Sequence, residues 1–125
     1  MAKQAPDATI DPMLTEIATG TVMHATSGEP ANYAGIAAVS LADVTLTAGD
    51  GNDFTIANGD TSGRKVTVSA KSGVTVDNNG TATHVALADV SNTQLLYVTT
   101  CTSQALTAGN TVNFPAWKVE VADPT

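Results

Sequence analysis

The sequence predicts an all-β fold, an antiparallel sandwich of the jelly-roll kind preceded by one short helix and a flexible N-terminal arm. Three observations support this fold class. The β-branched residues Thr and Val are frequent, and they suit pleated, half-buried strands. Apolar and polar residues alternate in several short segments, as they do in strands with one buried face. Glycine- and asparagine-rich turns separate those segments at nearly regular intervals.

The N-terminal region predicts an arm followed by a helix. Residues 1–10 are polar and contain a proline, so we predict a flexible arm, which leaves residues 11–125 as a single domain. A chain of 125 residues is long enough for one hydrophobic core. Asp11 is suited to cap a helix and Pro12 to occupy its first position, which predicts a helix over about residues 12–18. Such a short helix is not stable alone, so we expect it to pack against the domain.

The remaining sequence predicts about seven or eight strands. Alternation is clearest in residues 65–69 and 117–121. Pro115 lacks the N–H that a central strand donates, so we expect the last strand to bend there or to lie at a sheet edge. The predicted strands cover about residues 21–25, 41–47, 53–57, 64–70, 74–78, 81–89, 94–101 and 111–121.

The segment from residue 27 to residue 39 has no periodicity, and we predict a long ordered loop or an arm. Glu29, Pro30 and Tyr33 in this segment are candidate interface residues. Tyr33 could alternatively anchor the loop to the domain. Trp117 is a candidate for the core or for an interface, because a large aromatic side chain suits both.

The charge balance restricts the class of partner. The formal net charge is −7, the sequence pI is about 4.3, and the chain has five Lys and Arg residues. Nucleic acids and anionic membrane surfaces are bound by clustered basic residues, so we predict neither as a partner. We recognise no secretion signal and no apolar run long enough to span a bilayer, and we expect a protein synthesised in a cytoplasm.

One segment resembles a metal-binding motif. The run from Gly49 to Ile56 looks like a single copy of the calcium-binding glycine–aspartate repeat of parallel β-helices. Asp50, Asn52 and Asp53 are therefore weak calcium candidates. That architecture depends on tandem copies, and a glycine-rich hairpin explains the same residues without metal. We predict no metal and no cofactor.

The other reactive residue types do not converge in sequence. His24, His84 and Cys101 lack the close spacing of zinc ligands, and the single cysteine is expected to be a small buried residue. The aspartates are scattered over turns, whereas acid–base catalysis needs convergent groups. We predict no catalytic residue and no enzymatic activity.

Four stretches carry a resemblance to a known class of protein: residues 23–33, 59–68, 80–89 and 117–124. Through them the chain resembles small virion structural proteins of tailed bacteriophages. The resemblance implies a capsid decoration (cement) protein that sits on the outer surface of the capsid as a homotrimer. Such a protein would bind the major capsid protein and stabilise the shell by protein–protein contacts alone. A tail, neck or fibre component is the alternative within the virion, and a calcium- or glycan-binding sandwich module is the alternative outside it.

Overall fold

A computed structural model describes residues 6–122 of the chain. The fold is mostly β, with 51% of residues in strands and 15% in helices, which confirms the predicted β class. The elements in chain order are α1 (Asp7–Ile17), β1 (Val22–Thr26), a 3₁₀ turn (Tyr33–Gly35), α2 (Ile36–Val39), β2 (Ser40–Thr45), β3 (Phe54–Asn58), β4 (Arg64–Val68), β5 (Lys71–Thr75), β6 (Gly80–Asp89), β7 (Gln94–Leu106), β8 (Thr111–Phe114) and β9 (Trp117–Val121).

The strands form three antiparallel sheets among the described residues. The largest has four strands in the order β2-β1-β6-β7, the second has the order β3-β4-β9, and the third pairs β5 with β8. A bridge between Ala42 and Val76 attaches the segment after β5 to β2. The outer edge of β2 is therefore partly covered, whereas β7 forms the other edge of the same sheet.

One hydrophobic cluster joins the three sheets and α1. Its four largest fully buried side chains come from four different elements: Leu14 lies on α1, Met23 on β1, Phe54 on β3 and Leu87 on β6. Met23, Phe54 and Leu87 thus lie on the inner faces of their strands, and Leu14 lies on the face of α1 that packs against them. Gly20 lies between α1 and β1 at a point where an added Cβ would come within 2.7 Å of the Leu87 side chain. The close approach of α1 to the sheets thus depends on a glycine.

The helix begins earlier than predicted, which corrects the boundary of the arm. α1 starts at Asp7, and Ile10 is only 5% exposed within the core. Ile10, Leu14 and Ile17 are spaced by four and three residues, so they form one buried face of the helix. Residues 7–10 therefore belong to the folded domain, while residues 1–5 of the predicted arm lie outside the described residues.

Asp11 does not have the capping role that the sequence predicted. The Asp11 carboxylate accepts a hydrogen bond from Arg64 Nε at 2.9 Å on β4 and does not cap the helix. The carbonyl of Pro6 instead accepts the first helical N–H groups, those of Thr9 and Ile10. Pro12 consequently lies inside α1 and not at its first position.

The predicted interruption at Pro115 is present and separates two strands. β8 ends at Phe114 and pairs with β5, whereas β9 begins at Trp117 and pairs with β4. The last predicted strand therefore contributes to two sheets, because the chain turns away from β5 at a residue that cannot donate to a ladder.

Candidate protein-interaction surfaces

The loop over residues 27–39 packs on one face of the four-stranded sheet. Ile36 forms a small buried cluster with Val22 and Ala88, and Tyr33 packs against this cluster. The base of the loop is closed by a hydrogen bond from Ser27 N to the carbonyl of Val39 at 2.9 Å. The segment is thus an ordered loop containing a 3₁₀ turn and α2, held down by its apolar side chains.

The three interface candidates of this loop differ in exposure. Glu29 is exposed, Tyr33 is half-buried and Pro30 is buried. Asn32 orders the tip of the loop, because its side-chain oxygen accepts a hydrogen bond from Gly35 N at 2.9 Å. Glu29 therefore offers a charge to a partner, while Tyr33 is engaged with the sheet below it.

Trp117 is anchored to the domain and also lines a groove. Its Nε1–H points at the sulfur of Met23 at 3.2 Å, and its ring stacks on Tyr97 with a centroid separation of 6.0 Å and an interplanar angle of 24°. The indole is half-buried. One edge of the ring borders a depression of about 310 Å³ that continues along β7 past Pro115.

The groove beside Trp117 is mostly apolar and contains the single cysteine. A second depression of about 190 Å³ adjoins the first and shares Val85, Cys101 and Phe114 with it. Cys101 is exposed, which corrects the expectation of a buried residue, and partial burial raises the pKa of its thiol. Its exposure follows from the position of β7 at a sheet edge. The raised pKa disfavours the thiolate that a nucleophile requires.

The described basic side chains are all paired with carboxylates. Arg64 Nε lies 2.9 Å from Asp11, Lys65 Nζ 2.5 Å from Asp60, and Lys71 Nζ 2.9 Å from Asp53. Lys118 also pairs with Asp60. In residues 6–122 the positive charges are thus neutralised locally, and the excess of acidic groups determines the surface potential.

The weak calcium candidates hold their own loop together. Asp53 accepts hydrogen bonds from Thr47 N at 2.6 Å and from Lys71, and these contacts lower its pKa. Asp50 accepts from Ile56 N at 2.9 Å. The Asn52 side chain donates to a backbone carbonyl. Within the described part of the chain, no three His, Cys, Asp or Glu side chains are grouped so that they could hold a metal ion.

A polar cluster of His24, Ser40, Asp43 and Asp77 on the four-stranded sheet was not predicted from the sequence. His24 Nδ1 lies 2.8 Å from Ser40 Oγ. Burial lowers the pKa of His24, with partial opposition from the charges of Asp43 and Asp77, and a hydrogen bond to Asp43 raises the pKa of Asp77. The bridge between β2 and the segment after β5 brings Asp77 to this place, and no local pattern in the sequence signals that pairing.

The residue types in this cluster are those of a hydrolase triad, but their arrangement differs. In a triad the serine contacts Nε2 of the histidine, and a carboxylate holds Nδ1. Here the Ser40 hydroxyl lies against Nδ1. The geometry accounts for a structural hydrogen bond and gives no support to nucleophilic catalysis.

Comparison of the chain with protein-family models, with curated proteins and with solved structures gave no significant match. None of the helices in residues 6–122 has both the length and the apolar character needed to cross a bilayer.

Proposed function

We propose that this chain is a non-enzymatic structural protein that decorates the outer surface of a tailed-phage capsid and binds the major capsid protein. The observation that carries a structural role is the character of the exposed surface. The surface is acidic, and its described Lys and Arg side chains are paired with carboxylates. It also includes the uncharged edge strand β7 and an apolar groove at Trp117. Such a surface suits protein contacts. The assignment to phage capsids is supported by the resemblance of the four sequence stretches.

We propose in addition that the three sheets form a jelly-roll-like sandwich. Support comes from the main buried cluster, which contains residues of all three sheets. A compact domain of this kind binds as a rigid body, so it loses little conformational entropy on attachment. It stabilises a shell when it binds assembled subunits more tightly than dissociated ones.

The copy number of the chain per purified virion tests this function. Quantitative mass spectrometry against the major capsid protein should give a simple ratio set by icosahedral symmetry. A handful of copies per particle would favour the alternative of a tail, neck or fibre component. Absence from the virion would refute both virion roles.

The exposed charge at the loop provides a second test with a matched control. Glu29→Lys and Glu16→Lys make the same change at two exposed positions, the first in the loop and the second on α1. We expect Glu29→Lys to weaken attachment to capsids and Glu16→Lys to leave it unchanged. Equal effects of the two substitutions would remove Glu29 from the interface.

The alternative outside the virion, a calcium- or glycan-binding module, is tested by thermal unfolding. We expect the midpoint to be unchanged by millimolar calcium or by a chelator, because Asp50 and Asp53 already accept hydrogen bonds from the loop. A ligand that binds only the folded state must raise the midpoint. A calcium-dependent rise would therefore favour the binding module.

A further inference from the structure

The free edge of β7 is the longest strand edge of the fold. β7 runs from Gln94 to Leu106, 13 residues, which is about 43 Å at 3.3 Å per residue. It pairs with β6 on one side and has no strand neighbour on the other among the described residues. The six consecutive residues 100–105 are all exposed. This edge therefore presents unpaired backbone N–H and C=O groups to the surroundings.

The position of the edge is fixed by the hairpin that precedes it. Asp89, at the end of β6, is 4% exposed. Its carboxylate accepts hydrogen bonds from Ser91 N at 3.0 Å and from Asn92 Nδ2 at 2.7 Å. Between the two register shifts of the β6–β7 ladder, residues 97–100 pair regularly with β6. Residues 97–100 thus offer a short, regular edge, and residues 101–103 beyond them lie in a register shift.

β7 lacks the charges and prolines that usually protect an edge strand. Exposed edges of monomeric proteins commonly carry Lys, other charged residues or Pro, which prevent pairing with another chain. The sequence contains no Asp, Glu, Lys or Arg from Val90 to Trp117, and no Pro within β7. This uncharged stretch lies in a chain with a net charge of −7. The contrast between this uncharged edge and the acidic chain indicates that the edge is suited to pairing with another strand.

A second copy of the chain is the occupant that the charge distribution fits. Two chains of net charge −7 repel each other over most of their surfaces, but they can approach along β7 without bringing carboxylates together. Identical strands placed antiparallel about a twofold axis are self-complementary in their backbone hydrogen bonds. Thr99 and Thr100 lie in the regular part of the strand, and cross-strand threonine pairs are favourable.

From these observations we propose that two copies pair antiparallel along β7 and join their four-stranded sheets into one. The apolar groove beside Trp117 has residues 99–102 along one side, so the paired strand lies beside it and adds apolar burial. This pairing goes beyond the proposed function and does not depend on it. It also differs from the homotrimer that the phage resemblance implies, because it is twofold.

The mass of the free chain in solution tests the pairing. We expect light scattering with sedimentation equilibrium to show a dimer that dissociates on dilution. Thr100→Lys puts a charge near the middle of β7, and two such charges meet across the axis. Thr45→Lys makes the same change on β2, at the other edge of the sheet, and both positions are exposed. Both variants lower the net negative charge equally, so repulsion between whole molecules cannot explain a difference.

We expect Thr100→Lys to weaken the dimer at least about tenfold and Thr45→Lys to leave it unchanged, with both variants folded by circular dichroism. A monomer at every concentration would overturn the proposal. A trimer would overturn it as well, and so would a dimer that Thr100→Lys leaves intact. None of these outcomes bears on the copy number in the virion, so the proposed function is tested separately.

Disulfide trapping tests the antiparallel arrangement. In a Cys101→Ser background, single cysteines are placed in turn at positions 98–104 and oxidised, and covalent dimers are measured on non-reducing gels. Around a twofold axis only the residue on the axis faces its own copy. We therefore expect one position, or two adjacent ones, to give strong cross-linking. Cross-linking of similar strength at most of these positions would not fit a twofold axis across β7, and cross-linking at none would show a different interface; both would overturn the proposal.

Discussion

Truncation of Leu14 measures how firmly α1 belongs to the domain. The side chain is fully buried, at 0% exposure, in the cluster that joins the helix to the sheets. Leu14→Ala removes three carbon atoms, worth about 2.4 kcal/mol at about 0.8 kcal/mol each. The cavity left behind raises the cost further. We expect the free energy of unfolding to fall by about 3 to 4 kcal/mol.

Met13 provides the matched control on the same helix. Its side chain is 50% exposed, and Leu, Met and Ala have similar helix propensities, so Met13→Ala should cost less than about 1 kcal/mol. Urea unfolding followed by circular dichroism measures both variants, with an unchanged m-value as the sign of an intact two-state transition. The thermal midpoint of Leu14→Ala should fall by about 12 °C for a domain of this size. If both variants lost the same small amount, α1 would not be part of the core and the predicted arm would extend through it.

Two further predictions concern a turn and a histidine. Gly63 has φ +69°, and a Cβ there would clash with the carbonyl of Val121, so Gly63→Ala should lower the free energy of unfolding by more than about 1 kcal/mol. In the control Gly28→Ala no atom lies within 4 Å of the added Cβ, so the free energy of unfolding should change by less than about 0.5 kcal/mol. Equal urea midpoints of the two variants would contradict a strained turn at Gly63. Burial holds the pKa of His24 in the folded chain below 6.5, so the unfolded chain binds a proton at this histidine more readily than the folded chain does. The free energy of unfolding should therefore decrease as the pH falls below 6.5. An NMR titration of His24 with a midpoint at or above 6.5 would contradict this.

Most strands could be predicted because their signal is local. In β4, Lys65 and Thr67 are half-buried while Val66 and Val68 are fully buried, and this alternation is visible in the sequence itself. Turn glycines mark the ends of several strands for the same reason, since Gly49 and Gly51 both have positive φ angles that other residues rarely adopt. These features depend on neighbours along the chain and not on the tertiary fold.

The start of α1 was predicted wrongly because two local signals competed. Asp11 and Pro12 have the residue types of a helix start, whereas the spacing of Ile10, Leu14 and Ile17 indicates an earlier one. The apolar spacing determines the structure because it buries three side chains in the core, and this outweighs the hydrogen bond that Pro12 cannot make. Including Ile10 in the helical pattern would have given the correct boundary within about a turn.

Features that depend on distant pairings could not be predicted. The Asp43–Asp77 contact exists because Ala42 pairs with Val76 across the fold. The exposure of Cys101 depends on β7 being an edge, and an edge is defined by the strand order of the whole sheet. Strand order is set by tertiary packing, which a single sequence does not display.

The division of the last predicted strand at Pro115 has a consequence for the time course of folding. β9 pairs with β4 so that Arg64 lies opposite Val121, and Val119 of β9 is buried in the core. During synthesis the edge of β4 that pairs with β9 therefore stays unpaired until β9 has left the ribosome. Contacts between such distant positions slow folding, and an uncovered strand can join another nascent chain in the meantime. Slower elongation through the segment between β4 and β9 would therefore lengthen the time for which β4 can pair with another chain.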